Sequence, residues 1–292
     1  MLKLIIFLAD GRLGNQIFQY AFLKTIQKNN EKIIVSGFED LKEVFEIDDF
    51  ININKNNRLL RVIIFRICGS ILYFLSDKKI ISSIVIKHES ISNNYSREST
   101  TYDSIHGILK GITFIKIGFF QSEKFFNKTI LNKLKFKEIY LVESAELLKD
   151  IPNNCQKIFV HIRMNDYKNF TVCGQNTLLP MSYYKNQIEW FMQNRENCFF
   201  ILLGDDTKLL LDEFCYIEDK MISSNNHYGT DLAIMTQCNS AILSPSSFGW
   251  WGSYLMEERD TVFAPKYWLG FRSKIEYQEQ AVPSYSKEVE IY

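Results

Sequence analysis

The residues best suited to binding an anion follow apolar segments in the second half of the chain. His161 and Arg163 come directly after KIFV, and Ser246 and Ser247 come shortly after SAILS. An arginine offers a planar fork of donors to a phosphate, and serines that open a helix add hydroxyl and backbone N–H donors. The alternatives are a buried Arg–Asp pair that holds a loop and plain helix capping by the serines. Because several such groups converge, the pattern favours a site for a phosphate-bearing ligand.

A further polar residue, Asp231, lies at the start of the predicted helix DLAIMTQC. Its carboxylate can cap that helix or accept two N–H groups from the edge of a guanine. The chain has no Asp-x-Asp and only four isolated histidines, so no metal is expected. It also lacks GxGxxG and GxxxxGK[ST], which argues against dinucleotide oxidoreductases and P-loop enzymes.

The elements that position these residues alternate between strands and helices. From residue 157 onward, apolar strand patterns and amphipathic helix patterns follow one another, which predicts an α/β fold with a doubly wound parallel sheet. In such sheets ligands bind beyond the carboxyl ends of the strands. The first half begins with a strand, a turn and a helix over 3–28 and a strand over 31–37, then becomes irregular over 88–112. The acidic helix LVESAELLKD and Pro152 suggest domains 1–154 and 155–292.

Composition limits the possible partners of the chain. It has 292 residues, and its 34 basic residues balance its 34 acidic ones, so no basic field is available for nucleic acid. The six cysteines are scattered without a CxxC pair, which is typical of a reducing cytoplasm. The first apolar segment is too short for a signal peptide, and we expect it to form a strand.

The longest apolar region covers residues 59–87 and is interrupted by Arg61, Arg66 and Asp77. Its pattern predicts a helix that is either buried in the core or interfacial, and the core interpretation is favoured. A basic apolar helix can also rest on a membrane surface. We therefore expect a cytoplasmic protein, with peripheral contact at the cytoplasmic face of the inner membrane as the alternative.

Five segments, in this order along the chain, resemble the bacterial α-1,2-fucosyltransferases of glycosyltransferase family 11. They are GRLGNQIFQYAF, GFFQSEKFF, HIRMNDY, FFILLGDD and DLAIMTQCNSAILSPSSFGWWGSYL, and residues 40–110 are the least covered. The resemblance implies a GT-B-like fold with two Rossmann-type domains facing a cleft, an N-terminal acceptor-side domain and a C-terminal GDP-sugar-binding domain. It also implies metal-independent, inverting transfer from GDP-β-L-fucose to the 2-hydroxyl of a glycan, expected to be a terminal β-galactoside of an O-antigen, capsule or other surface polysaccharide.

The resemblance also implies roles for individual residues. Arg163 would bind the diphosphate as the principal catalytic group, with His161 facing the donor, Asp231 recognising guanine, and Ser246 and Ser247 lining the phosphate or ribose. The turn after the first strand would face the sugar or the acceptor through Arg12, Asn15 and Gln16. For Asn15 the alternative is helix capping, and for Gln16 it is exposure to solvent. The candidates for the general base are Asp10, Glu123 and Asp166.

One position departs from the family pattern, because Met164 follows Arg163 where the fullest motif has a second arginine. A single arginine would then neutralise the diphosphate unless Arg12 or a backbone N–H contributes. Two alternative functions stay open. One is a transferase that uses another GDP-deoxyhexose such as GDP-colitose, and the other is a non-catalytic protein that binds a sugar nucleotide or a glycan.

Overall fold

The computed structural model describes residues 3–54, 57–92 and 95–292, except for the side chains of Arg58, Ser92 and Asp166. The chain divides into two compact units, Met1–Lys135 and Phe136–Tyr292. Each unit contains one six-stranded sheet with helices. The α/β class that the sequence predicts is therefore confirmed in both units.

The first unit is built on a mostly parallel sheet with the strand order β3-β2-β1-β6-β4-β5. Its elements are β1 Lys3–Leu8, α1 Leu13–Ile26, β2 Glu31–Ser36, α2 Glu39–Val44, β3 Ile51–Asn52, α3 Arg58–Asp77, β4 Ile81–Ser92, β5 Tyr95–Ile105, β6 Leu109–Ile115, and short 3-10 helices at Glu123–Phe125 and Lys128–Lys133. Strand β1 pairs in parallel with both β2 and β6. The turn that follows β1 therefore lies at the carboxyl edge of the sheet, beside the ends of two other strands.

Helix α1 is apolar on nearly every side because it is buried along most of its length. Phe18 and Phe22 are both buried, and the ring of Phe22 stacks on that of Phe120 with centroids 3.9 Å apart. Full burial of large aromatic side chains is a strong stabilising contribution. The helix is thus a packing element, as the sequence predicts, and it fixes the turn that precedes it.

The second unit is built on a sheet with the order β11-β10-β7-β12-β13-β14, in which every described pair is parallel. Its elements are α4 Glu138–Leu148, β7 Gln156–Ile162, β8 Thr171–Val172, β9 Gln175–Asn176, α5 Met181–Asn194, β10 Cys198–Gly204, α6 Thr207–Glu213, β11 Lys220–Ser223, α7 Tyr228–Thr236, β12 Ser240–Ile242, α8 Ser247–Tyr254, β13 Val262–Pro265, β14 Lys287–Val289, and short 3-10 helices at Asp166–Lys168 and Trp268–Gly270. The central strands β7, β10 and β12 are buried, as continuous apolar strands of a parallel sheet must be. The doubly wound parallel sheet predicted for this half is confirmed, although β11 and β14 were not predicted.

The boundary between the units differs from the predicted one at residues 154 and 155. Helix α4, which the sequence assigned to the first domain, packs against α7 of the second unit. The ring of Tyr140 stacks on His227 with centroids 4.9 Å apart, and Thr230 donates a hydrogen bond of 2.5 Å to Glu143. The sequence of an acidic helix does not indicate which element it packs against, so only the tertiary contacts show that α4 belongs to the second unit.

The predicted helix over 59–87 is correct only as far as Asp77, because β4 begins at Ile81. The segment expected to be irregular, residues 88–112, instead contains the end of β4, the whole of its antiparallel partner β5 and the start of β6. Most residues of β5 are exposed or half-buried, so its sequence lacks the apolar alternation that identifies a strand. The favoured core interpretation of α3 is also wrong, because one face of this helix is exposed.

Candidate functional site

The carboxyl ends of β7 and β12 meet at one buried hydroxyl group, that of Ser244. Its Oγ donates to the carbonyl of His161 at 2.7 Å and accepts the backbone N–H of Arg163 at 2.9 Å. It also lies 2.6 Å from the hydroxyl of Tyr184 in α5. Burial raises the pKa of Tyr184, so that hydroxyl stays protonated and donates to Ser244. Ser244 thereby uses its one donor and both acceptor positions to fix the backbone around Arg163.

The loop after β7 is held from its other side by Asp205, at the end of β10. The two oxygens of this carboxylate accept the backbone N–H groups of Met164 and Asn165, each at 3.0 Å. The guanidinium Nη1 of Arg163 lies 3.8 Å from the same carboxylate, which is longer than a charge-assisted hydrogen bond. An Asp does therefore hold this loop, as one interpretation of the sequence proposed, but chiefly through backbone groups. Arg163 is half-buried at the edge where the sequence places an anion.

His161 lies beneath this edge, with only 5% of its surface exposed. Burial, with a smaller contribution from the charge of Arg163, lowers the pKa of His161 to about 3, so its imidazole is neutral at physiological pH. Within the described ranges, its Nδ1 has no hydrogen-bond partner. A Cβ at Gly249 in α8 would lie 2.8 Å from that nitrogen. His161 thus contributes a neutral ring packed against α8, and its contact with a donor stays a prediction.

The two serines lie at the start of α8. Ser246 is the N-cap, and its hydroxyl accepts the backbone N–H of Phe248 at 3.3 Å. Ser247 is the first helical residue and is half-buried. The capping interpretation is confirmed for Ser246. It is compatible with anion binding, because the first N–H groups of a helix point toward its N-terminal end.

Asp231 lies in the first turn of α7, near the end of β11, but it does not cap the helix. His227 occupies the N-cap, and its side chain accepts the backbone N–H of Gly229 at 3.1 Å. The Asp231 carboxylate instead accepts the hydroxyl of Ser223 at 2.5 Å. Burial raises the pKa of Asp231 above its usual value. Since β11 pairs with β10, Asp231 belongs to the same carboxyl edge as Asp205. Recognition of guanine by Asp231 stays a prediction.

In the first unit, Asp10 lies two residues beyond the end of β1. Its Oδ1 accepts the backbone N–H of Gly11 at 2.8 Å and lies 3.6 Å from Nη2 of Arg61 in α3. The same guanidinium donates to the carbonyl of Ala9 at 3.1 Å. Gly11 has a φ of +85°, a conformation that glycine adopts without strain. The turn is therefore fixed by a cation from a helix about fifty residues further along the chain.

Arg12 and Asn15 lie at this same edge. Arg12 occupies the N-cap position of α1 and is exposed. Asn15 does not cap the helix, because its Oδ1 accepts the side chain of Gln121 at 2.7 Å. Gln121 follows β6, the strand that pairs with β1. A polar cluster thus forms where two parallel strands end, and its direction toward a sugar stays a prediction.

Gln16 does not belong to that accessible cluster, contrary to the expectation from the sequence. Its side chain is fully buried, with its Nε2 donating to the carbonyl of Gly11 at 3.1 Å and its Oε1 accepting from the N–H of Leu41 at 2.9 Å. Both ends of the amide are used in fixing the turn to α2. Gln16 is therefore a structural residue, and neither the sugar-facing nor the solvated interpretation is correct.

The general base stays unassigned among the three candidates. Asp10 is partly exposed beside Arg61, and Glu123 is half-buried in a short 3-10 helix. The side chain of Asp166 lies outside the described residues. Across residues 3–54, 57–92 and 95–292, no group of three or more His, Cys, Asp or Glu side chains could hold a metal ion. Independence from metal nevertheless stays a prediction.

Several residues of these two edges were missed by the sequence analysis. They are Arg61, Gln121, Tyr184, Asp205 and Ser244, of which Asp205 lies in the FFILLGDD segment that carries the family resemblance. Ser244 had a usable signal, since it ends the segment SAILS at a strand terminus. Tyr184 had only the helical spacing of a core residue. Its hydroxyl finds a polar partner because α5 packs over the end of β12.

The chain is similar along most of its length to known glycosyltransferases. A family model described as Glycosyl transferase family 11 matches residues 4–287. An alpha-1,2-colitosyltransferase of Escherichia coli is 26% identical over 275 residues, which cover 89% of this chain and 90% of that protein. Galactoside alpha-(1,2)-fucosyltransferase 1 of Mus musculus is 24% identical over 264 residues, which cover 89% of this chain and 65% of that protein.

A solved structure with the same fold is that of the NodZ alpha-1,6-fucosyltransferase co-crystallised with GDP. It superposes with a TM-score of 0.51 at 11% identity, covering 88% of this chain and 93% of that one. This likeness confirms the GT-B-like α/β fold that the resemblance implied. The match of the family model along almost the whole chain makes the protein a glycosyltransferase, and the chain belongs to glycosyltransferase family 11.

Proposed function

We propose that the protein transfers L-fucose from GDP-β-L-fucose to the 2-hydroxyl of a glycan, with inversion and without a metal ion. The observation that carries this proposal is the fixed position of Arg163 at the carboxyl end of β7. Ser244 and Asp205 hold the backbone on both sides of its side chain. A cation fixed in this way at a strand end suits the diphosphate of a sugar nucleotide.

In the proposed reaction, the bond between the anomeric carbon and the diphosphate oxygen breaks while the acceptor oxygen bonds to the same carbon. GDP leaves with the bonding electrons, and the hydroxyl proton passes to a base that is still unassigned. Charge develops on the leaving diphosphate, so Arg163 acts by stabilising that charge in the transition state. The N-terminal N–H groups of α8, with Ser246 and Ser247, are placed to add neutral donors.

The names of similar proteins support the choice of donor and acceptor. NodZ binds GDP, and the mouse relative is an alpha-(1,2)-fucosyltransferase that acts on galactosides. We therefore infer a guanine nucleotide donor, an α-1,2 linkage, and a terminal β-galactoside as acceptor. In this proposal Asp231 recognises guanine, while Arg12 and Asn15 face the transferred sugar or the acceptor. Action in the cytoplasm on a surface polysaccharide is part of the same proposal.

A second candidate uses colitose in place of fucose. It is favoured by one observation, the 26% identity to an alpha-1,2-colitosyltransferase over most of both chains. The groups proposed to hold GDP are common to both donors, because the two reactions differ only in the sugar. The described residues at the carboxyl edge of the second unit's sheet therefore support both candidates, and a direct comparison of the two donors separates them.

The experiment incubates the purified protein with EDTA and a panel of β-galactosides, in parallel with GDP-fucose and with GDP-colitose. Release of GDP measures turnover, and NMR of the product gives the linkage. We expect an α-1,2-linked fucoside, formed at the same rate with and without EDTA. Preferred turnover of GDP-colitose would assign the second candidate. Loss of turnover in EDTA would contradict metal independence.

Binding of GDP without turnover of either donor would contradict both catalytic candidates and indicate the non-catalytic protein considered from the sequence. In that case Met164 is the first position to change, because a second arginine would restore the fullest family motif. A Met164→Arg variant that acquires turnover would show that the missing cation was limiting. Equal inactivity of this variant would support a binding role.

A further inference from the structure

Helix α3 is attached to the first unit along one face only. Leu72, Tyr73 and Leu75 pack with Leu8 and Phe114 of the sheet. The Tyr73 hydroxyl accepts a backbone N–H 3.2 Å away, just beyond the end of β6. These contacts, together with the Arg61 hydrogen bond described above, fix how the helix is rotated about its axis. The opposite face is therefore presented to the surroundings in a defined orientation.

That opposite face is apolar. Ile63 is 54% exposed, and other large apolar side chains of α3 are comparably exposed. Those that share this face with Ile63 at helical spacing are Leu59, Leu60, Ile67, Ile71 and Phe74. We call this set the α3 apolar face. Contiguous exposed apolar surface of this kind is rare on a soluble monomer and marks a site of interaction.

The segment that forms α3 is also basic, in contrast to the neutral chain as a whole. Residues 58–79 include five basic residues and one acidic residue, Asp77. The basic residues are Arg58, Arg61, Arg66, Lys78 and Lys79. Arg66, Lys78 and Lys79 are exposed. An apolar face accompanied by exposed cations matches a surface that is apolar inside and anionic outside.

A neighbouring segment extends the same surface beyond the end of α3. The N–H of Ile108 donates to the carbonyl of Lys79 at 2.9 Å, which places the start of β6 beside the end of the helix. Ile108 is 80% exposed, and Leu109 and Lys110 are exposed as well. The combination of apolar and basic side chains is thus repeated on a second element.

Among the described residues, Leu59–Asp77 forms the one helix long and apolar enough to cross a membrane, with a mean hydropathy of 1.8. Its other face is occupied by the sheet, so crossing a bilayer would require the helix to leave that sheet or carry it into lipid. A helix that keeps its packing can instead lie in the plane of the membrane surface. In that position its apolar side chains enter the acyl boundary and its arginines and lysines meet the headgroups.

We propose that the α3 apolar face, with Ile108 and Leu109, docks the protein on a bilayer containing anionic phospholipids. Charge selects this occupant over a second copy of the chain, because a symmetric contact through α3 would bring like charges together. The docking is independent of the sugar donor. It would hold the first unit at the surface, with Arg61 linking the docked helix to the turn at Asp10.

The test measures sedimentation of the full chain with two kinds of vesicle. One contains phosphatidylcholine alone, and the other also contains about 30–40% phosphatidylglycerol, an anionic lipid that gives the vesicle a negative surface potential. We expect binding to the anionic vesicles and at least tenfold weaker binding by the double variant Ile63→Asp, Ile67→Asp. The matched control is Leu211→Asp in α6, because Leu211 is also 54% exposed but lies in the second unit. It should bind vesicles like the parent protein.

A second variant, Lys78→Gln with Lys79→Gln, changes charge while leaving every apolar side chain of α3 in place. We expect it to lose at least threefold of its binding to anionic vesicles and to melt at the parent temperature. The absence of binding by the parent protein would overturn the proposal, as would equal binding by the Ile63/Ile67 variant. Dimerisation of the parent without vesicles, abolished by that same variant, would assign the face to a second copy and also overturn it.

Discussion

At the scale of single residues, Arg163 is held by its backbone before any ligand arrives. Ser244 fixes its N–H, and Asp205 fixes the N–H groups of the next two residues. Preorganised donors stabilise a developing charge without reorganising during the reaction. This is the reason to expect one arginine to suffice where the fullest family motif has two.

The corresponding prediction is that Arg163→Ala lowers kcat by about 10² to 10³, the usual effect of removing one preorganised donor. Initial rates of GDP release at saturating donor and acceptor measure the effect. Arg195→Ala is the control, because Arg195 pairs with Asp260 at the opposite, amino end of β10. A near-normal kcat for Arg163→Ala would remove this residue from the proposed mechanism.

The buried His161 leads to a prediction of how the stability of the protein depends on pH. Its pKa of about 3 in the folded protein lies below the ordinary value of 6.5, so the unfolded chain binds a proton that the folded chain excludes. The free energy of unfolding should be fully retained above pH 6.5 and fall toward pH 3, by up to about 1.4 kcal/mol per pH unit from this residue. Denaturant unfolding between pH 4 and pH 7 measures the slope.

The control for this slope is His161→Gln, which cannot take up the proton. Its unfolding free energy should depend less on pH over the same range, even if the variant is less stable at pH 7. The raised pKa of Asp231 changes the free energy of unfolding with pH in the opposite direction. Because this contribution is present in both proteins, it cancels in the comparison. Parallel pH profiles for the two proteins would show that His161 is not the group responsible.

At the scale of elements, α8 depends on a close approach to the end of β7. A Cβ at Gly249 would lie 2.8 Å from Nδ1 of the buried His161 ring. We expect Gly249→Ala to destabilise the protein by about 1–3 kcal/mol, the cost of overpacking a core. Thermal unfolding measures it, and the displaced ring should also lower activity.

Gly69→Ala in α3 is the matched helix control. Its Cβ would approach only the flexible side chain of Leu8, at 3.3 Å. Alanine is favoured over glycine in a helix by about 1 kcal/mol, so this variant should be neutral or slightly stabilised. Equal losses of stability in the two variants would mean that the approach of α8 to His161 is not the cause.

At the scale of the whole molecule, the position of α4 decides where the second unit begins. We expect a fragment of residues 136–292 to be more stable than one of residues 155–292. The difference should be about 3 kcal/mol, because removing α4 exposes the surface that buries Tyr140 and Leu148. Urea unfolding of the two fragments measures it. Equal stability of the two fragments would place the start of the second unit at residue 155, as the sequence suggested.

The family, the parallel sheet of the second unit and the strand ends at which polar groups collect could all be predicted from the amino-acid sequence. These follow from local pattern, because continuous apolar strands and the polar residues after them are encoded within a few positions. The placement of Arg163, Ser246 and Ser247 at such ends could be predicted for this reason.

Which polar side chains face outward depends on tertiary packing. Gln16 and His161 follow the same pattern as accessible residues, yet both are buried, because α2 and α8 pack over them. The exposure of the α3 apolar face could not be predicted for the same reason. An apolar sequence shows that a side chain favours burial but not whether another element packs against it. Burial depends on distant elements, and that information lies outside any short segment of the chain.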